Sequence, residues 1–184
     1  DFTYQAFLNA CLILLGTDAS LDPANPYKSS PTQSGFCTFG APHVLDLLAK
    51  VANYGLKASW YQKWYVHRRV RPEEFGGAVH RVHKRIANYP IHPDLLNSTA
   101  LETVFSRTGT YLLPQAYAEG CPTHPSYPAG HAVVAGACAT VLKAFFDESF
   151  QIRRPVEADA DGLSLAAYRG AELYVGDELN KLAA

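Results

Sequence analysis

The chain has no methionine anywhere in its 184 residues, only two tryptophans, and no Cys-x-x-Cys pair among its four cysteines. The missing pairs argue against a zinc ribbon or a redox dithiol. The missing methionine, absent even at position 1, leads to the expectation that the chain begins inside a larger gene product or after processing. Net charge of either sign is also lacking, with 16 basic residues against 17 acidic ones. No general attraction to nucleic acid or to an anionic membrane follows from such a balance, so any anion has to be bound locally. The longest apolar stretches, Ala6–Gly16 and Ala132–Phe146, fall short of the roughly 18 residues that span a bilayer. No basic-then-apolar signal segment opens the chain. Sustained strand-like alternation and internal repeats are absent as well, which predicts a mainly α fold with long loops.

What is present supports that reading. Nearly half of the residues are hydrophobic, enough for one domain with a real core. Apolar residues at helical spacing predict a buried helix over Phe2–Leu15, stopped at Gly16. Residues 17 to 40, rich in Pro, Ser, Asp, Gly and Thr, predict a long ordered loop. From Pro42, an apolar face through Val44, Leu47, Leu48, Val51, Leu56, Trp60 and Trp64 predicts two or more helices. The chain bends at Arg71-Pro72, since a residue before proline is pushed out of helical torsions, and Pro72-Glu73-Glu74 opens a helix running to about Ile86. Asn88–Ser98 reads as loop, Thr99–Phe105 as a short helix, Gly130–Phe146 as a helix of small residues, 149 to 175 as a polar excursion, and Gly176–Ala184 as a last helix with Asp177 and Lys181 paired. Cys11 and Cys138 lie in apolar runs and are expected as buried thiols; Cys37 and Cys121, beside loop residues, are the likelier bridge.

Two segments carry chemistry. In QKWYVHRRVRPEE, residues 62 to 74, Lys63 and Arg71 are eight positions apart, which on a continuous helix leaves them roughly 80° apart in projection, able to converge on one anion. In PTHPSYPAGHA, residues 122 to 132, a stiff loop with three prolines and two histidines turns into a helix at Gly130 and His131. First-turn amides there have no helical partner and form a natural seat for a tetrahedral oxyanion. Glycine permits close approach, and His131 supplies an imidazole, a side-chain type suited to moving a proton. Other residues have ordinary explanations. Arg68 and Arg69 read as surface or salt-bridge residues, His67 as a helix-face histidine, His43 and His92 as loop or cap residues, and Tyr127 as a rim residue. His80 and His83, at i and i+3, lack the further ligand that would make a metal site.

The pairing of K-x7-R-P with H-P-S-Y-P-A-G-H-A resembles the vanadium-dependent haloperoxidases, most closely their algal-type bromoperoxidases, which share an oxyanion pocket with the type 2 phosphatidic-acid phosphatases. The likeness extends to HVLDLLAKVANYGLKASWYQKW and the terminal VGDELNKLAA. It implies a helical bundle, with this chain as one domain, 1–184, forming the central to C-terminal part of a larger protein. It also implies vanadate as cofactor, held at Lys63, Arg71, Ala129, Gly130 and His131. Catalysis would involve His131 and His124, the latter matching a histidine that bromoperoxidases carry where the fungal chloroperoxidases have Phe.

The implied reaction oxidises halide, bromide by preference, with hydrogen peroxide to hypohalous acid, which halogenates small organic substrates. A homo-oligomer and a secreted or extracytoplasmic setting are implied too. Two departures stand out. Ala129 replaces the family's serine, whose loss weakens oxyanion binding by about 1.5–3 kcal/mol. The final Arg and the vanadium-bonding His follow a segment like VGDELNKLAA in the family, so both are expected beyond Ala184, with no metal ligand inside the chain. A phosphatase using the same pocket and a catalytically inactive relative are the alternative functions.

Overall fold

The computed structural model describes residues 3–184. It is mainly α-helical and resolves into two compact units, one made of residues 1–60 and 128–184, the other of residues 61–127.

The first unit holds the main core. Helix α1 (Gln5–Gly16) buries Phe7, Cys11 and Leu14; the predicted start at Phe2 lies outside the described residues. Helix α2 (Ala41–Tyr61) takes Pro42 into its first turn and buries Val44, Leu48 and Ala52, a stripe at i, i+4, i+8. Such spacing points one face of a 3.6-residue helix inward. Helix α6 (Gly130–Phe145) supplies Val134, Cys138, Leu142 and Phe145, and α7 (Val175–Ala183) supplies Val175 and Leu179. These residues form a single hydrophobic cluster. Small residues set the spacing: a Cβ on Gly55 would meet Val133 Cγ1 at 3.4 Å, so glycine brings α2 close to α6.

The loop from 17 to 40 is ordered by backbone pairing with the end of α6, through Asp22 N–H to Phe145 O at 2.9 Å and Asp147 N–H to Ser20 O at 2.8 Å. Buried Asn25 donates to Phe39 O and accepts from Tyr27 N–H. The polar excursion after α6 contains a short antiparallel hairpin, β1 (Val156–Ala158) with β2 (Leu165–Ala167), in the register Val156↔Ala167. No strand signal is visible in the sequence there because three residues are too few to show alternation, and all six are exposed. In α7 the predicted pairing of Lys181 shifts by one position: its ammonium meets Glu178, at i, i+3, instead of Asp177. All four cysteines are free. Cys11 and Cys138 are buried as expected, whereas the expected bridge between Cys37 and Cys121 is not formed.

The second unit follows directly from α2. Helical winding continues as a π-helical turn (Gln62–His67), closed by Arg68 in the left-handed region at φ 43°. Helix α3 (Pro72–His83) starts where proline demands, with Arg71 extended at ψ 157° and its N–H donating to Glu74 Oε2 at 3.1 Å. It ends at His83, three residues before the expected Ile86, with Lys84 as C-cap ahead of Arg85 at φ 56°. Inside the predicted 88–98 loop, Pro93–Leu96 forms a single turn, α4. Helix α5 (Thr99–Thr108) ends at Gly109 at φ 69°. Apolar burial is thin: Val79 is buried, and Gly76 lies where a Cβ would meet Leu113 Cγ at 3.2 Å. Ring stacking adds to it, with Tyr111 between His83 (4.2 Å) and Phe105 (4.8 Å). His80 Nδ1 accepts from the Tyr111 amide at 3.4 Å and lies 3.0 Å from the Thr110 hydroxyl. The two histidines of α3 are thus joints to the 109–113 loop.

Candidate oxyanion site

Three residues singled out by sequence converge within the second unit. Lys63 is only 5% exposed, although a lysine seldom is buried. Its position follows from register. The inward stripe of α2 comes round again at Ser59, 1% exposed, and four residues later at Lys63. The predicted apolar face through Trp60 and Trp64 is therefore displaced by one position, and both indoles are half exposed. The wider π turn then carries the chain into the bend at Arg71-Pro72; π turns are rare and concentrate at functional sites. Lys63 and Arg71 approach each other through that bend rather than along one helix face, so the projected 80° does not apply.

Both cations meet at His124. The Lys63 Nζ lies 3.3 Å from His124 Nδ1, and Arg71 Nη2 lies 3.2 Å from the same nitrogen. Arg71 Nε also donates to the His124 carbonyl at 3.0 Å. Arg71 Nη2 also lies 3.5 Å from His124 Nε2, and the Pro125 carbonyl lies 3.1 Å from Nδ1, so the imidazole is enclosed by two cations and a backbone acceptor. Burial, and then the Arg71 guanidinium, hold the Lys63 ammonium below the usual lysine range. Among the described residues no carboxylate forms an ion pair with either cation. Two like charges kept together without a counter-charge are costly unless an anion joins them.

Ser126, which the sequence reading passed over, locks this arrangement. Its N–H donates to Arg69 O at 2.9 Å, and its hydroxyl lies 3.2 Å from Val70 O and 3.3 Å from Arg69 O. The histidine loop is thereby tied to the stretch just ahead of Arg71. Pro125 and Pro128 flank the serine, and a hydrogen-bonding residue fixed between two prolines was the available signal. His67, at the end of the π turn, packs edge-on against Tyr127 with centroids 4.9 Å apart.

Ala129, Gly130 and His131 stand at the head of α6, in the first unit. Ala129 is the N-cap, extended at ψ 121°, and has no side chain able to cap. Beneath it the buried Ser59 hydroxyl donates to Pro128 O at 3.2 Å, and a Cβ on Gly130 would meet Leu56 Cδ1 at 3.2 Å. Glycine therefore lets the loop-to-helix junction lie directly on α2. The His131 ring is exposed beside a cavity of about 470 Å³ shared with Gln5 and Asn9 of α1 and Leu182 of α7. Among the described residues no cluster of three His, Cys, Asp or Glu side chains could hold a metal ion, and no helix is long and apolar enough to cross a membrane.

Fold and site define a class: a mainly helical chain whose buried lysine and neighbouring arginine face one histidine loop and, among the described residues, pair with no carboxylate. Comparison with known proteins gives the class its name. A vanadium-dependent bromoperoxidase of Corallina officinalis is 43% identical over 208 aligned residues, covering 100% of this chain and 34% of the relative. That of Corallina pilulifera is 41% identical with the same coverage, and that of Ascophyllum nodosum is 44% identical over 186 residues, covering 94% of this chain and 33% of the relative. No protein-family model matches. The chain belongs to the vanadium-dependent bromoperoxidases, and it spans about a third of the length of the curated relatives it matches.

Proposed function

We propose that the protein of which this chain forms part uses vanadate and hydrogen peroxide to oxidise halide, bromide by preference, to hypohalous acid that halogenates small organic molecules. The observation that carries the proposal is the pair Lys63 and Arg71, close together, partly or fully buried, and without a carboxylate partner. That donor set fits a tetrahedral oxyanion: it supplies positive charge and several N–H groups and no anionic ligand that would repel it. Lys63 contributes a compact charge and Arg71 a planar fork whose Nε is already fixed by the His124 carbonyl. Vanadate, when bound, supplies a Lewis acid that activates peroxide without changing its own oxidation state.

The chain's own residues have separable tasks. Lys63 and Arg71 neutralise oxyanion charge and stabilise any further negative charge that develops in the reaction. His124, within hydrogen-bond distance of both cations, orients them. The motif assigns a backbone donor to Gly130 and proton transfer to His131, whose exposed ring is open to exchange with solvent. Ala129 provides no hydroxyl, so the oxyanion is held with one hydrogen bond fewer than in relatives carrying serine. Assembly into a homo-oligomer belongs to the same reading.

Bromination of monochlorodimedone by the full-length protein, loaded with vanadate and supplied with peroxide and bromide, is the direct assay. Turnover that depends on vanadate is the expected result. Absence of bromination together with hydrolysis of p-nitrophenyl phosphate would replace the reading with a phosphatase, and silence in both assays would leave a catalytically inactive relative.

A further inference from the structure

Beside His124, wholly within the second unit, lies an open cleft of about 230 Å³ whose walls combine an indole with guanidinium groups. Trp64, half exposed, with Val70 and Pro125 gives it an apolar wall; Arg68 and Arg69 give it charge. Both arginines are exposed, and among the described residues neither side chain makes an ion pair or hydrogen bond. The one carboxylate lining the cleft, Glu74, already accepts from the Arg71 amide through Oε2. Lys63, Arg68, Arg69 and Arg71 place four cations within nine positions of a chain whose overall charge is −1. The cleft wall is therefore a local positive field against a nearly neutral background. Arg68 is also held in the left-handed region, a conformation an arginine adopts at some cost.

We propose that this cleft is the binding subsite for the organic molecule to be halogenated, and that it selects small anionic aromatics such as phenol carboxylates. The proposal rests on the halide-oxidising reading above. A flat ring lies against the Trp64 indole and Pro125, and the anionic group is met by Arg68 and Arg69. The volume is below the roughly 300–1,000 Å³ typical of sites for drug-sized ligands, which matches a single substituted ring. A ring held there lies next to His124 and thus next to the cation pair. Hypobromous acid formed at that pair transfers bromine to a ring carbon, the displaced ring proton leaving with the hydroxide as water. Binding in the cleft shortens the path of a reactive electrophile that would otherwise meet solvent.

Titration calorimetry with 4-hydroxybenzoate on the full-length protein tests the idea. Saturable binding is expected, at least about tenfold weaker for the neutral analogue 4-hydroxybenzyl alcohol and weakened to a similar degree by Arg68→Gln with Arg69→Gln. Both arginines are exposed in this chain, and far-ultraviolet circular dichroism checks that the double variant folds. Trp64→Leu is expected to weaken both the acid and the alcohol. Saturating inorganic phosphate should occupy Lys63 and Arg71 yet leave 4-hydroxybenzoate affinity unchanged. Absence of binding, equal affinity for acid and alcohol, indifference to the double variant, or full displacement by phosphate would each overturn the proposal. Vanadate affinity measured on the same samples tests the cofactor reading separately, because neither substitution removes Lys63 or Arg71.

Discussion

Lys63 shows how much a single buried charge can state about a protein. A cation at 5% exposure beside a guanidinium lowers the stability of the unliganded fold, and the sign can be followed through pH. Because folding lowers the Lys63 pKa, the penalty is fully present below the folded-state pKa and is relieved as pH rises from there toward the ordinary lysine value. Binding an anion acts in the opposite sense, since it favours the charged ammonium. Sulfate, whose own charge is constant in alkaline solution, should therefore bind more weakly as pH rises through the lowered Lys63 pKa, and the Lys63→Met protein should lose that dependence. The same substitution should raise the denaturation midpoint without ligand while weakening oxyanion binding by about 1.5–3 kcal/mol, roughly ten- to hundredfold. A variant less stable than the parent, with unchanged sulfate affinity, would mean that Lys63 is a structural residue and the anion reading is wrong. Arg68 and Arg69 make the complementary point. Read from sequence as surface or salt-bridge residues, they are exposed, and among the described residues neither forms an ion pair beside Trp64.

At the scale of an element, the start of α6 and the π turn after α2 carry most of the information. Helix α6 begins on Ala129, so no side chain satisfies its first amides. Ala129→Ser installs a residue strongly preferred at this position, worth about 0.5–2 kcal/mol at an N-cap. For a chain of this size that corresponds to about 2–4 °C in Tm per kcal/mol. The expected outcome is a higher Tm by differential scanning calorimetry together with tighter vanadate binding. A gain in Tm with an unchanged dissociation constant would confine Ala129 to capping and separate it from the oxyanion.

The π turn was invisible to a 3.6-residue pattern, because no residue within QKWYVH marks the change from i+4 to i+5 bonding. The Arg71-Pro72 boundary, in contrast, was legible, since proline dictates the torsions of its neighbour regardless of context. Ser126 was overlooked because its partners, the carbonyls of Arg69 and Val70, are more than 50 residues away in sequence.

For the whole molecule, the state of the thiols gives a simple check. Cys11 and Cys138 lie in the core of the first unit, and burial pushes each thiol up to about 11, whereas Cys37 is exposed. Thiolates and not thiols react, so Ellman's reagent should label Cys37 rapidly in the folded protein, and Cys11 and Cys138 only on unfolding. All four should titrate in denaturant without reductant. Fewer than four, or a fall in Tm on adding dithiothreitol, would restore the bridge that the sequence suggested and the fold lacks.

The sequence by itself determined the helical class, the proline-set boundaries and the family, because periodicity, proline sterics and two ordered motifs act over short stretches. It also named Lys63, Arg71 and His124. Only the tertiary structure decided that these three share Nδ1 of one imidazole, that Lys63 is buried while Trp60 and Trp64 are not, and that Arg68 and Arg69 flank a cleft. Those outcomes depend on contacts between residues some 50 to 60 positions apart, and on which face of α2 packs inward, one position away from the face that apolar pattern alone marks.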